Sequence, residues 1–409
     1  MDAALADGVE LALRWLHVIA GIAWIGSSFY FIHLDASLEK RPGLPPGVAG
    51  EAWQVHGGGF YRMQKYTIAP PELPEKLTWF KWEAYTTWLS GFLLLLAIYY
   101  AKPELYLIDP RILPLEPWRA VVIGLASILL GYLLYEVLCR SPLGRDDRLL
   151  ALAGVVLVVL FAFAMSRIFS GRGALIQTGA FLGTCMAASV AHVIIPNQRK
   201  AVAALLEGRV PDPELGRRAK QRSLHNNYVT LPVVFTMITG HYPLVFDNRW
   251  NWLILSLVLV IGFAVRYFFN ERHAGRPSPW WSWGVAAAAG LAALWLARPL
   301  ESAGDGTVTT ASDSPPAFAE VEAVLGARCA MCHAERPVWP GLAAPPKGVA
   351  LDTAEAIRRW APLLAHQAVH TGAMPPGNLT GLEEEERRLL ARWLAAGAPG
   401  PAPGSGESG

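Results

Sequence analysis

LALRWLHVIAGIAWIGSSFYFI, residues 11–32, is an apolar run broken by one charge, Arg14, and one imidazole, His17. A helix needs about 20 residues to cross the hydrocarbon core of a bilayer, so this run predicts a membrane span. It is too long for the apolar core of a cleaved leader and has no small-residue cleavage site after it, so it is expected to stay as the first span.

Seven comparable runs follow, near residues 79–100, 118–138, 149–165, 174–195, 228–242, 252–269 and 281–297. The sixth is interrupted by Pro232 and lined by Asn226, Asn227, Thr230, Thr236 and Thr239. Such a helix suits the inside of a bundle, where neighbours satisfy its polar groups. With 53% hydrophobic and 17% charged residues and 16 Trp, the chain is too apolar to consist only of water-soluble domains. A net charge of +2, with no basic run interleaved with aromatics, gives no footprint for nucleic acid.

Lys and Arg stay on the cytoplasmic side of short loops. They concentrate after the first, third, fifth and seventh runs, as in Arg140, Arg145 and Arg148 and again in Arg199, Lys200, Arg209, Arg217, Arg218 and Arg222. Both termini are therefore predicted outside. The expected organisation is mainly α: a polytopic eight-helix transmembrane bundle over residues 1–299 and a flexible linker over 300–316. A small all-α domain at 317–397 and a disordered tail at 398–409 complete it.

The small domain contains CAMCH, Cys329 to His333. In this motif the thiols of Cys329 and Cys332 add to the vinyl groups of a c-type haem, and His333 reaches the iron from the proximal side. Met374 in GAMPPGN is the expected sixth ligand, with His366 and His370 as alternatives. Haem c is attached on the periplasmic side in bacteria, which agrees with the loop charges and places the chain in the inner membrane. The other two cysteines, Cys139 and Cys185, stand alone in apolar stretches, so no disulfide framework is expected.

Imidazoles within spans are costly and mark functional candidates. His17 and His241 are expected toward the outer side, where an imidazole from each of two helices could hold a b-type haem. His17 and His33 are sixteen residues apart, as are His225 and His241. Sixteen steps of about 100° put each pair on nearly opposite helix faces, which disfavours two stacked haems in one cleft. The inner side gathers AHVIIPNQRK, SLHNNYVTLP and HGGGFYRMQKY. A planar ring bearing N–H and C=O groups would suit Arg62, Lys65, Asn197, Asn226 and Asn227, with His56, His192 or His225 as proton acceptor. The simpler alternative is a glycine turn with amide side chains capping helix ends.

The segments LRWLHVIAGIAWIGSSFYF, VHGGGFYRMQKY, LTWFKWEAYTTWLSGF, AHVIIPNQRK and HNNYVTLPVVFTMITGHYP, together with CAMCH and AMPPGN, cover nearly the whole chain. In combination they resemble the bacterial membrane-bound urate oxidases, or urate hydroxylases. The resemblance implies oxidation of urate with water to 5-hydroxyisourate. Electrons would leave through membrane haem and haem c toward a soluble cytochrome c or a terminal oxidase. Two other classes fit the residues alone: a non-catalytic electron-transfer subunit fed by a quinol or a dehydrogenase, and an oxidase of another heterocycle or a porphyrin.

Overall fold

The computed structural model describes residues 3–67, 70, 73, 76–298, 315–340 and 342–401. The fold is mainly helical. Among the described residues, five helices are long and apolar enough to cross a membrane, and a shorter apolar helix follows them. The bundle consists of α1 (Ala3–Ala36), α2 (Trp82–Leu94, continued as a π-turn to Tyr100), α3 (Pro117–Arg140), α4 (Asp147–Ser166) and α5 (Gly171–Ser189). It goes on through α6 (Ile195–Leu206), α7 (Pro213–Thr239), α8 (Asn251–His273) and α9 (Trp281–Leu296).

Close helix approach depends on small residues, as expected where lipid gives no hydrophobic drive between helices. A Cβ at Gly131 of α3 would meet the Phe181 ring of α5 at 2.6 Å, and one at Gly124 would meet Gln177 Nε2 at 2.5 Å. Gln177 is fully buried and donates instead to the Tyr100 hydroxyl at 2.7 Å. Pro232 lies inside α7, and the lack of a side chain at Gly262 of α8 makes room for its ring. The polar face expected of this helix is buried: Asn226, Asn227, Thr230, Thr236 and Thr239 are all inside. The helix also begins fifteen residues before the expected span, so its first four turns project beyond the apolar part.

One element differs in kind from the expectation. The glycine-rich segment forms an antiparallel hairpin, β1 (Val48–His56) and β2 (Gly59–Tyr66). Gly57 and Gly58 both have positive φ, +59° and +78°. Two residues of that conformation make the tight turn that matches strand twist, so these glycines are used by the turn.

The C-terminal module packs α10 (Phe318–Arg328) against α11 (Glu384–Ala395). Val321, Leu325, Leu390 and Trp393 are fully enclosed at the contact. Ala398 packs on this cluster and Trp393 Nε1 donates to the Pro399 carbonyl at 2.9 Å, so ordered packing runs past Gly397. Most of the expected linker, 300–314, and the end of the tail, 402–409, lie outside the described residues.

The module sits on the bundle through the loop that carries Met374. Ala373 is buried in one cluster with Ala162, Leu175, Phe246 and Leu255, and Gly377 lies against the carbonyl of Ile108. Ile108 and Phe246 lie in the connections that lead into α3 and α8, so this seat is at the Pro117 end of α3.

Candidate functional site

At the other end of α3 a cavity of about 870 Å³ opens between α3, α7 and the junction of α5 with α6. Tyr132, Tyr135, Glu136, Cys139 and Arg140 recur at helical spacing and so share one face of α3. Glu136 accepts from Arg140 Nε at 2.6 Å on one oxygen and from Arg222 Nη2 at 2.7 Å on the other. Arg217 and Arg218 bind Glu214 at the outer wall and hold its carboxyl down to about 2. Gly144 forms part of the floor, where a side chain would strike the Cys139 carbonyl.

His192 lines this cavity from a π-turn, Val190–Ile194. The cause is local: Pro196 has no N–H to give the carbonyl four residues earlier, which is that of His192, and the helix widens there. Ile195 N–H bonds to Val190 O, the five-residue spacing of such a turn. The Tyr132 hydroxyl and His192 Nδ1 are hydrogen-bonded at 3.0 Å, so Nε2 is the ring nitrogen left for a ligand.

The structure separates the other expected site residues. Asn197 lines the same cavity and donates to Leu215 O at 3.3 Å. His225 stands behind the wall, its Nδ1 paired with the Tyr135 hydroxyl at 2.9 Å. Asn226 donates to Met186 O, while Asn227 Oδ1 accepts from Arg266 and Asn270, so both amides tie α7 to neighbouring helices. His56, Arg62 and Lys65 lie on the hairpin and are not part of the cavity wall. His56 is exposed beside the turn, Arg62 is paired with Glu51, and Lys65 with Asp35.

The pair expected to face each other on the outer side is not brought together. His241 is exposed beyond the end of α7. His17 packs on α2, where its Nδ1 lies 2.9 Å from Thr87 O and 3.2 Å from Ser90 Oγ, and a Cβ at Gly91 would meet its Cε1 at 2.7 Å. Gly91 is midway along the stretch 82–100, so His17 lies near the middle of the bundle rather than toward its outer end. Its place near the start of the apolar run 11–32 points outward, but α1 runs 34 residues, longer than a bilayer requires, so position in the run does not fix depth. A ring whose Nδ1–H donates to a carbonyl is fixed in orientation with Nε2 free, an arrangement common to metal-bound histidines.

Sequence reasoning missed Arg222, Glu136, Tyr132 and Tyr135. A signal was present: YLLYEVLCR ends an otherwise apolar span with an acid and two phenols on one face, and such groups inside a span mark a site.

Residues 3–297 match the family model described as urate oxidase N-terminal. The chain belongs to this family. No curated protein and no solved structure matches it. The urate oxidase N-terminal match ends at the last helix of the bundle, one residue past Leu296, so the cavity and His17 lie inside the family region and the C-terminal module lies outside it.

In that module the geometry suits a covalently held haem. His333 Nδ1–H donates to Val349 O at 2.9 Å, which leaves Nε2 for iron. Cys329 and Met374 pack against the same apolar cluster, so a thiol of the motif and the sixth-ligand candidate border one apolar core. Arg387 Nη1 donates to Met374 O at 3.1 Å and fixes the loop. His366 pairs with its neighbour Gln367, at 3.2 Å from Nδ1. Beside the seat, burial pushes the Asp247 carboxyl up to about 6, against the pull of Arg111, Arg387 and Arg172.

Proposed function

We propose that this protein is a membrane-bound oxidoreductase that oxidises urate with water to 5-hydroxyisourate, releasing two electrons and two protons. One observation carries the reading: a polar cavity with a histidine in its wall and the CAMCH module occupy opposite ends of one bundle, and the family match covers the cavity end. Substrate chemistry and electron delivery are then separated along the helix axes.

The bundle crosses the membrane eight times in this reading, by α1, the 82–100 stretch, α3, α4, the 171–206 stretch, α7, α8 and α9. The cavity end carries Arg140, Arg145, Arg217 and Arg218 and faces the cytoplasm. The N-terminus and the module face the periplasm. Urate would enter from the side on which purines are broken down.

His192 is the best placed of the three candidate bases. Its Nε2 takes a proton from urate or from the attacking water, and the Tyr132 hydroxyl holds the ring. Asn197 offers amide contacts in the same wall. His225, held by Tyr135, supports the wall from behind.

Haem c, bound to Cys329 and Cys332 with His333 and Met374 as axial ligands, would accept electrons one at a time and pass them to a soluble cytochrome c or a terminal oxidase. The 24 residues of α3 separate the two ends by about 36 Å. That is too far for one electron-transfer step, and His17, midway along the bundle with its Nδ1 already held, would be the iron ligand of a b-type haem between them.

Anaerobic addition of urate to the purified full-length protein tests the reading. Loss of urate absorbance together with reduced haem bands is expected. Urate left unchanged beside fully oxidised haem sinks the proposal.

A further inference from the structure

The cavity has a charge preference that the proposed reaction alone does not explain. Five arginines line it against two carboxylates, Glu136 and Glu214, and each carboxylate already binds two of those arginines. The surplus positive charge faces the space in which a ligand would sit.

Arg222 is built differently from the other four. It is only 4% exposed, its guanidinium lies 4.7 Å over the Tyr135 ring, and Glu136 fixes Nη2. Its Nη1 is buried and has no hydrogen-bond partner among the described residues. Leaving a buried charged donor unpaired is costly. A guanidinium of a cavity-lining residue, held rigidly by a carboxylate and a ring and with one N–H group left over, is preorganised for an acceptor from outside the chain.

We infer that Arg222 is the anchor for a planar heterocyclic monoanion, and that Glu136 and Tyr135 position it for that task. This rests on the proposed urate chemistry and deepens it. Urate is a monoanion at neutral pH, with its negative charge spread over ring nitrogen and carbonyl oxygen. Arg222 selects that form over a neutral purine, and the anion is the more readily oxidised form. The position of His192 in the same wall puts the proton acceptor and the anchor around one ligand.

The test is binding to the full-length, haem-loaded protein of 8-azaxanthine, an anionic purine analogue that is not a substrate for the reaction, with hypoxanthine as the neutral comparison. Arg222→Gln is expected to weaken 8-azaxanthine binding by roughly 10- to 100-fold, the size of a hydrogen bond to a charged group, and to leave hypoxanthine binding within a few-fold. Arg222→Lys is expected to recover part of the loss. If Arg222→Gln does not fold because it leaves Glu136 unpaired, the double variant Arg222→Gln with Glu136→Gln keeps a neutral pair of similar shape and gives the same reading. Unchanged 8-azaxanthine affinity in a variant with a normal melting temperature overturns the inference, even where wild-type protein still reduces its haem with urate. Wild-type protein that binds 8-azaxanthine through Arg222 but shows no urate-driven haem reduction overturns the urate reading and leaves the anion anchor standing.

Discussion

His192 and Tyr132 are hydrogen-bonded at 3.0 Å between helices that are sixty residues apart in sequence, and the π-turn before Pro196 is what turns the imidazole toward that phenol. The bond fixes one ring nitrogen and frees the other. If His192 is the base, His192→Gln should lower urate-driven haem reduction by roughly 10²- to 10⁴-fold, the usual span for general-base catalysis. Tyr132→Phe keeps the ring but loses the hydroxyl, and should cost less, with the fall in kcat and KM little changed. Stopped-flow reduction of haem under saturating urate measures both. An unaltered rate in His192→Gln removes His192 as the base.

His17 makes a separate prediction, because its partners are on α2 and not in the cavity. His17→Ala should abolish the haem that acid acetone extracts from the full-length protein and leave the covalently attached haem in place. Gly91→Val should give the same phenotype without touching the histidine, since a side chain there overlaps the imidazole. Pyridine haemochrome spectra of the extract and of the residue distinguish the two pools. Equal extractable haem in wild type and His17→Ala removes this site from the electron path.

The sequence states helix positions more readily than helix rotations. The apolar runs and CAMCH each locate an element, because length and spacing are local properties. The hairpin was also readable: Gly57-Gly58 between alternating strands signals a tight turn, and the charged side chains on β2 are spent on Glu51 and Asp35. By contrast, the pairing of Glu136 with Arg222 joins residues 86 apart, and only the packing of α3 on α7 brings them together. The depth of His17 was misjudged for a related reason: α1 extends well beyond any bilayer thickness, so the ends of the apolar run do not mark the ends of the span.

Asp247 makes the contact between bundle and module depend on pH. Its carboxyl rises from the ordinary 3.8 to about 6, first through burial, with Asp109 adding to the rise and Arg111, Arg387 and Arg172 opposing it. The sign follows from linkage: between about pH 4 and 6 Asp247 keeps a proton while the module is seated on it that it would lose once the module is released, so seating is favoured at low pH. That advantage fades as pH climbs toward about 6 and is absent above it. Asp247→Asn should flatten the dependence over this window. Distances between spin labels at Leu113→Cys and Glu385→Cys, both exposed positions on either side of the contact, would report it. Identical pH profiles for wild type and Asp247→Asn would show that this carboxyl does not govern seating.

Gly377 tests whether the seat matters for electron delivery. Its φ is +54°, a conformation that favours glycine, and it faces the Ile108 carbonyl too closely for any side chain. The enclosed core of the module, at Val321, Leu325, Leu390 and Trp393, does not include it. Gly377→Val should therefore unseat the loop that carries Met374 while the module stays folded. Reduction of haem c by urate should slow by at least roughly tenfold, as misplacement by an ångström or more commonly costs. Its reduction by dithionite, which needs no docking, should be unchanged. If both reductants act at wild-type rates, electrons reach the module by some face other than this one.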